Sequence, residues 1–254
     1  MSRFASRKQE IAGRFSQAAS QYASYAALQA AIADALLEAD ISAGVVLDAG
    51  CGRGRESQLL SLRPGVEKVI ALDMAPAMLA ALPESEKIQP LLGDMEAIAL
   101  PDACVDAVFS NFALQWCESP DTVAAEFSRV LKPDGRLLAS VPGPQSLAAL
   151  RASGLLHINE FAGTDVWAMA LMQAGFADCD FVQKDFTLWF DSVPELLRAL
   201  KGIGAGTTDT PRENHLLGRQ WLQQVSVALE AQRQPQGLPL SYDVIFIIAN
   251  RDDF

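Results

Sequence analysis

The fold can be predicted from Val45-Val46-Leu47-Asp48-Ala49-Gly50-Cys51-Gly52-Arg53-Gly54. The first half of this stretch is typical of a short buried strand, and the second half is a glycine-rich turn that leads into a helix. Glycine allows positive φ angles and lets the backbone approach a ligand closely, because it has no Cβ. The turn also directs the free N–H groups of the next helix toward a bound molecule. The stretch therefore predicts a loop wrapped closely around a small ligand.

The spacing of these glycines differs from the dinucleotide fingerprint. G-x-G-x-x-G would require a third glycine at the position of Arg55. The pattern is instead Asp-x-Gly-x-Gly-x-Gly, and a carboxylate before the turn repels a pyrophosphate but suits a cofactor that bears an ammonium group. Because a strand, a tight turn and a helix need glycine in any α/β fold, the loop alone leaves a purely structural role open.

Two further acids are predicted to end neighbouring strands. Asp73 ends the apolar run Val69–Asp73, at the place where nucleotide-binding folds bind the ribose hydroxyls. Asp94 follows a third run and would lie near an adenine amino group, with Met95 against the face of the ring. Each acid alone could be a helix cap or a turn residue. Together with Asp48 they indicate a nucleoside cofactor.

This set resembles the class I S-adenosylmethionine (SAM) methyltransferases, whose first motif Asp48, Gly50, Gly52 and Gly54 match. The resemblance implies an α/β, Rossmann-like fold with a seven-stranded, mostly parallel sheet and helices on both faces. It implies one domain over 1–254, with an N-terminal helical lid over 1–40 and a helical insertion over 192–236. SAM would be the cofactor and S-adenosyl-L-homocysteine the product, without a metal. The residues expected to bind the cofactor are Gln29, Asp48, Gly50, Cys51, Gly52, Gly54, Asp73, Met74, Asp94, Met95 and Asn111.

Composition excludes several classes of protein. The 254 residues, half of them hydrophobic, can bury one large core. A net charge of −11 argues against nucleic acid as the main partner. No apolar run reaches the roughly 18 residues that span a bilayer, and the first residues lack a signal core, so we expect a cytoplasmic protein without a membrane partner. The four scattered cysteines and two histidines predict reduced thiols and no metal centre.

The periodicity of the chain predicts alternating strands and helices after Val45, and hence a parallel sheet. A turn is expected at 132–135, and a loop or insertion beside the pocket at 142–164. The predicted helices are 8–38, 56–62, one opening at Pro76, 121–131 and 166–174, and the predicted strands are 45–49, 69–73, 88–92, 105–111, 136–141, 180–190 and 241–249.

Two aromatic residues have two interpretations each. Tyr22 and Gln29 could be carried into the pocket by the N-terminal lid, but Tyr22 could equally be a core residue. Trp116 follows the fourth strand, toward which the sulfonium methyl of SAM would point, and it could wall the substrate channel or belong to the core. We treat Tyr22 and Trp116 as the candidate catalytic residues.

Several stretches resemble a narrower family, the malonyl-acyl-carrier-protein O-methyltransferases of biotin synthesis. They are Phe15…Tyr22…Leu28-Gln29, Leu47-Asp48-Ala49-Gly50-Cys51-Gly52, Ser110-Asn111…Gln115-Trp116-Cys117, Thr187-Leu188-Trp189-Phe190-Asp191 and Leu200-Lys201-Gly202-Ile203-Gly204-Ala205. The resemblance implies methylation of the free carboxyl of malonyl-acyl carrier protein, which lets the fatty-acid machinery elongate the masked malonyl group toward pimelate and biotin. A carboxylate is already ionised at pH 7, since its free pKa is about 4, so no general base is needed.

The resemblance also implies an acidic protein partner, the acyl carrier protein. An enzyme of charge −11 needs a local positive surface to bind it, and Arg198, Lys201 and Arg219 are the candidates for the carrier or the malonyl carboxylate. Three alternatives remain: a methyltransferase for another small acid or a quinone precursor, a nicotinamide oxidoreductase, and a non-catalytic SAM-binding protein.

Overall fold

The computed structural model describes residues 23–41, 44–152, 154, 159–203 and 219–252. Seven strands form one sheet with the order β3-β2-β1-β4-β5-β7-β6. The strands are β1 Val45–Ala49, β2 Lys68–Asp73, β3 Ile88–Leu92, β4 Val105–Asn111, β5 Leu131–Pro142, β6 Phe176–Phe190 and β7 Leu238–Arg251. The first five are parallel, and β7 runs antiparallel between β5 and β6. The predicted seven-stranded, mostly parallel sheet is confirmed.

Helices cover both faces of the sheet, as predicted. The helices are α1 Ala23–Leu36, α2 Arg55–Ser61, α3 Pro76–Leu79, α4 Pro120–Val130, α5 Ala148–Ala152, α6 Thr164–Gln173, α7 Val193–Ile203 and α8 Arg219–Glu230. Apolar residues of α1, α7 and α8 form one buried cluster with one face of the sheet, and those of α4 and α6 form a second cluster with the other face. β1 and β4 lie in the middle of the sheet, and most of their residues are buried.

The predicted turn at 132–135 lies inside β5. Asp134 has a left-handed φ of 58°, which a short polar residue tolerates. The pairing of β4 with β5 shifts its register between Val105 and Ala107. The predicted turn is confirmed, because residues 132–135 interrupt the pairing with β4 and the continuous pairing begins at Arg136, although the strand as a whole starts at Leu131.

The last two strands are longer than predicted. β6 begins at Phe176 rather than at 180, because an irregular pairing between Ala177 and Asp180 interrupts its alternation without ending the strand. The segment 142–164 contains α5 with irregular residues on both sides of it, and its described residues are not among those that line the cavity introduced below. Its assignment as a loop or insertion beside the pocket stays a prediction. The predicted insertion contains α7 and α8.

The N-terminal helix is confirmed over α1, whereas residues 8–22, including Tyr22, lie outside the described part. Among the described residues, no helix has both the length and the apolar character that crossing a membrane requires.

Candidate functional site

A cavity of about 390 Å³ opens at the carboxyl ends of the parallel strands, the usual ligand-binding edge of an open α/β sheet. This volume lies within the range of small-molecule sites. The glycine loop after β1, the ends of β2, β3 and β4, and the helix α1 all contribute to its wall. Of the residues predicted from sequence, Gln29, Gly50, Cys51, Gly52, Asp73, Met74, Asp94, Met95, Asn111 and Trp116 line it.

Two glycines of the loop have different reasons to be glycine. Gly50 has a φ of +81°, and a Cβ added there would lie 2.4 Å from the Cβ of Ala113, across the cavity floor. Its N–H donates to the carbonyl of Leu72 at 2.8 Å, which holds the loop against β2. Gly52 has a φ of +54°, and a Cβ there would meet nothing within 4 Å. Gly50 is therefore required by packing, and Gly52 leaves open space that a ligand can occupy.

Asp73 fixes the shape of the loop from the end of β2. Its Oδ2 accepts from the N–H of Gly52 at 2.9 Å, and its Oδ1 accepts from the N–H of Ala75 at 2.8 Å. Burial raises the pKa of the Asp73 carboxyl, although these backbone donors oppose the shift. A carboxylate with spare lone pairs at this place can accept further hydrogen bonds from a ligand's hydroxyl groups.

Asp48 supports the loop from below and does not line the cavity. It is 1% exposed, and its Oδ2 accepts from the hydroxyl of Ser57 at 2.5 Å. Burial raises the pKa of Asp48 to about 8. Gly54 also lies outside the wall, since a Cβ there would meet Leu82 Cδ2 at 2.3 Å. Both residues were predicted to bind the cofactor. In the structure they have packing and hydrogen-bonding roles and do not line the cavity, so cofactor binding by them stays a prediction.

Asn111 connects the sheet to the N-terminal helix. Its Nδ2 donates to the backbone carbonyl of Gln29 at 3.1 Å, and its Oδ1 accepts from the hydroxyl of Ser140 at 2.8 Å. This chain of bonds places Gln29 and Ala26 of α1 over the cavity. The N-terminal segment was expected to pack over the ligand edge of the sheet or against its flank, and Ala26 and Gln29 of α1 line the cavity at that edge.

The residues after β4 form a further part of the wall, in which Ala113 adjoins Gly50 of the glycine loop. Trp116 lies in a 3-10 turn, Leu114–Trp116, and is partly buried. Phe112 is 2% exposed and has a φ of 52°, which is rare for a bulky residue. Its N–H donates to both the carbonyl and the hydroxyl of Ser140, at 2.9 and 3.0 Å, and these bonds hold the unusual backbone conformation.

Comparison with known proteins identifies the family. The family described as a methyltransferase domain matches residues 47–139. The malonyl-[acyl-carrier protein] O-methyltransferase of Laribacter hongkongensis is 34% identical over 260 residues, which cover 94% of this chain and 88% of that protein. The chain belongs to this O-methyltransferase family. The resemblance predicted from its sequence motifs is confirmed.

Other relatives of this O-methyltransferase are longer. The biotin biosynthesis bifunctional protein of Cellvibrio japonicus is 36% identical over 251 residues. The matched region covers 95% of this chain but only 50% of that relative. Among solved structures, the YcgJ protein of Bacillus subtilis has a TM-score of 0.61 at 17% identity, covering 92% of this chain and 100% of that one. At that identity the likeness supports the fold alone.

The side chains around the cavity of this O-methyltransferase fit SAM, which carries a sulfonium and an ammonium group. In the described chain four acids line the wall, Glu56, Asp73, Asp94 and Glu96, against the two bases Arg53 and Arg55. Arg55 is already paired with Asp34 at 2.6 Å and with Glu56 at 3.1 Å. The excess of carboxylates favours a cationic ligand, and the empty Cβ position of Gly52 leaves it room.

Sequence reasoning missed several residues of this site, among them the wall residues Glu56, Glu96 and Phe112 and, beneath the loop, Ser57. Ser57 follows the glycine loop by a few residues, at the start of α2. A hydroxyl at this position could have been predicted to bond to Asp48, because the first turn of α2 passes beneath the loop. The sequence did not indicate the role of Phe112, because a phenylalanine rarely adopts a positive φ and such a conformation would not be predicted for it.

The basic candidates Arg198, Lys201 and Arg219 are placed on α7 and α8. Arg198 is exposed, does not line the cavity, and donates from Nε to the carbonyl of Pro194 at 3.1 Å. The side chains of Lys201 and Arg219 lie outside the described part.

Proposed function

We propose that the protein transfers the methyl group of SAM to the free carboxylate of malonyl-acyl carrier protein. The products are the malonyl-acyl-carrier-protein methyl ester and S-adenosyl-L-homocysteine, and the ester primes pimeloyl formation in biotin synthesis. The observation that carries this proposal is the similarity over nearly the whole chain to relatives named for that activity. The acid-lined cavity at the glycine loop supports the cofactor assignment.

SAM supplies an electrophilic methyl group on a positively charged sulfur, and the acceptor carboxylate is ionised at pH 7 without help from the protein. The chain therefore has to bind both molecules, align them and exclude water, which is catalysis by proximity and orientation. Asp73 is proposed to accept from ribose hydroxyls, and Asp94 to accept from the adenine amino group with Met95 against the ring. Trp116 is proposed to wall the channel through which the malonyl group enters.

The N-terminal segment is proposed to act as a lid, with Tyr22 donating to the acceptor carboxylate. Support comes from Ala26 and Gln29 of α1, which line the cavity. Replacing Tyr22 with Phe should slow turnover and leave the affinity for SAM nearly unchanged. Turnover equal to that of the wild type would rule out this role.

The carrier is proposed to bind the basic residues Arg198, Lys201 and Arg219, because acyl carrier proteins are acidic and this chain has a net charge of −11. Arg198→Glu should raise the apparent KM for malonyl-carrier, most strongly at low salt. The matched control is Arg233→Glu, another exposed arginine, which pairs with Glu230 at the end of α8. Equal kinetics for both variants would contradict the assignment.

The proposed compartment is the cytoplasm. The four cysteines form no disulfide in the described chain, which is compatible with a reducing environment.

The decisive experiment is incubation of the protein with methyl-labelled SAM and malonyl-acyl carrier protein, followed by a search for a base-labile methyl ester on the carrier. Free malonate and malonyl-CoA serve as competing acceptors. Labelling of another acid in preference to malonyl-carrier would favour a different small-molecule methyltransferase. Calorimetric binding of SAM without any labelled product would indicate a non-catalytic SAM-binding protein.

A further inference from the structure

Two buried side-chain atoms beside Phe112 have no hydrogen-bond partner among the described residues. One is Oε1 of Gln115, whose Nε2 donates to the carbonyl of Phe112 at 2.7 Å. The other is the hydroxyl of Tyr242, a residue that is 1% exposed. An amide oxygen can only accept a hydrogen bond, whereas a phenol can also donate one. Of these two groups, only the hydroxyl of Tyr242 can therefore donate a hydrogen bond to an anionic or carbonyl oxygen.

The topology of the sheet places Tyr242 at its ligand-binding edge. β7 runs antiparallel to β5, and Val244 pairs with Pro142 at the carboxyl end of β5, so Tyr242 lies beyond that end. The loop after β5 wraps around it, because Gly143 donates to the carbonyl of Asp243 at 2.6 Å and Leu147 donates to that of Ser241 at 2.8 Å. Tyr242 is thus on the same edge of the sheet as the glycine loop.

Tyr242 packs against one of the aromatic rings that line the cavity. The rings of Tyr242 and Phe112 meet edge to face, with centroids 5.5 Å apart, and Phe112 lines the cavity wall. Both rings belong to the buried cluster that includes Leu28 and Ile32 of α1. The left-handed φ of Phe112 marks the same place as unusual, since such conformations are concentrated at functional sites.

The fold itself has no use for this hydroxyl. A phenylalanine at position 242 would fill nearly the same volume without leaving a polar group unpaired in an apolar cluster, which is unfavourable for folding. Burial also raises the pKa of Tyr242, so the phenol keeps its proton and remains a donor.

We propose that Tyr242 donates a hydrogen bond to an oxygen of the malonyl group, bound at the part of the cavity wall that Phe112 forms. This inference rests on the proposed function and adds a substrate-binding residue to it. The group that Tyr242 would hold is a carboxylate or carbonyl oxygen of the acceptor, to which a phenol can donate.

The test is Tyr242→Phe, compared with the wild type and with Thr187→Val. Thr187 lies on the neighbouring strand β6 and its hydroxyl is 2.8 Å from that of Ser241, so this control removes a paired hydroxyl at the same edge of the sheet. For Tyr242→Phe we expect kcat/KM for malonyl-carrier to fall about 10- to 100-fold, the effect of losing a hydrogen bond to a charged group. The melting temperature should be equal or higher and the Kd for SAM unchanged. Thr187→Val should have the kinetics of the wild type.

Binding of malonyl-carrier in the presence of S-adenosyl-L-homocysteine gives a second measurement that needs no turnover. Weaker binding by Tyr242→Phe, by about tenfold or more, supports the proposal even if the methyl acceptor proves to be a different group. Equal binding and equal kinetics overturn it, whatever the melting temperature. If the wild type neither binds nor methylates malonyl-carrier, the proposed function and this inference both fall. If the wild type methylates malonyl-carrier and the variant does so equally well, only the inference falls.

Discussion

The two walls of the cavity are built in different ways. The wall formed by the glycine loop and the ends of β2 and β3 comes from one continuous part of the chain, residues 50–96. The opposite wall joins distant segments, because Asn111 bonds to Gln29 across 82 positions and Phe112 packs against Tyr242 from the last strand. The first wall depends on backbone geometry and the second on side chains that meet only after folding. A short motif can therefore identify the first wall, which is proposed to bind the cofactor (the cofactor wall), but not the second, which is proposed to face the acceptor (the acceptor wall).

Substitution of Gly50 tests the backbone-determined wall and should have the largest effect. In Gly50→Ala the new methyl group would lie 2.4 Å from Ala113 Cβ at a φ of +81°. The left-handed conformation costs about 1–2 kcal/mol and overpacking about 1–3 kcal/mol. We expect the free energy of unfolding to fall by roughly 2–5 kcal/mol and SAM binding to be lost, as measured by denaturant titration and calorimetry.

Gly52→Ala is the matched variant, because its φ is also left-handed but its methyl group would meet nothing within 4 Å. Its free energy of unfolding should fall only by the cost of the left-handed conformation, about 1–2 kcal/mol. Its methyl group would occupy open space that a ligand could fill. Weaker SAM binding in a protein of nearly normal stability is the expected result. Equal stability losses in the two variants would show that the contact with Ala113 is easily relieved and that the loop is less rigid than its geometry suggests.

The same contrast explains what could be predicted from sequence. Alternating apolar runs and turns predict the strands and the helices on both faces, because these depend on neighbouring residues. The ends of β2 and β3 show where Asp73 and Asp94 must lie, and both line the cavity. Spacing does not show which way a side chain points, so Asp48 was predicted to contact the ligand but is buried against Ser57.

The acceptor wall was less accessible to sequence reasoning. Trp116 was recognised because a large aromatic residue follows the fourth strand, but nothing near Phe112 in the sequence indicates a contact with Tyr242. That contact depends on β7 returning antiparallel beside β5, which brings the end of the chain to the ligand edge. The positive φ of Phe112 has the same origin, because it depends on two hydrogen bonds from Phe112 to Ser140 on β5.

The pH dependence of stability tests the position of Asp48 under the cofactor wall. With a native pKa of about 8 against an ordinary value of 3.8, the folded protein keeps this proton between those pH values, and the unfolded chain has lost it. The unfolded state therefore binds fewer protons, and Asp48 lowers stability as pH rises, by up to about 1.4 kcal/mol per pH unit. The contribution levels off above pH 8.

Asp48→Asn removes this titration while its amide oxygen can still accept from Ser57. Measured by urea unfolding, the variant should gain stability over the wild type progressively from pH 5 to pH 8. Glu86→Gln, at an exposed acid, serves as the control for a change in net charge. A gap between Asp48→Asn and the wild type that stays constant with pH would mean that Asp48 is charged in the folded protein. Its charge would then be available to attract a cationic ligand, as the sequence first suggested.

The smallest effect is expected where the two walls meet at the surface. Arg55 at the start of α2 pairs with Asp34 of α1 at 2.6 Å, and their side chains are 43% and 59% exposed. Exposed ion pairs contribute about 0.2–1 kcal/mol and are screened by salt, so Arg55→Ala should change the free energy of unfolding by less than about 1 kcal/mol. The Kd for SAM should rise by less than about threefold, because the bond from Asn111 to Gln29 holds α1 independently. A larger rise in the Kd for SAM that disappears in high salt would show that this ion pair positions α1. The acceptor wall would then depend on the cofactor wall, although the two come from different parts of the chain.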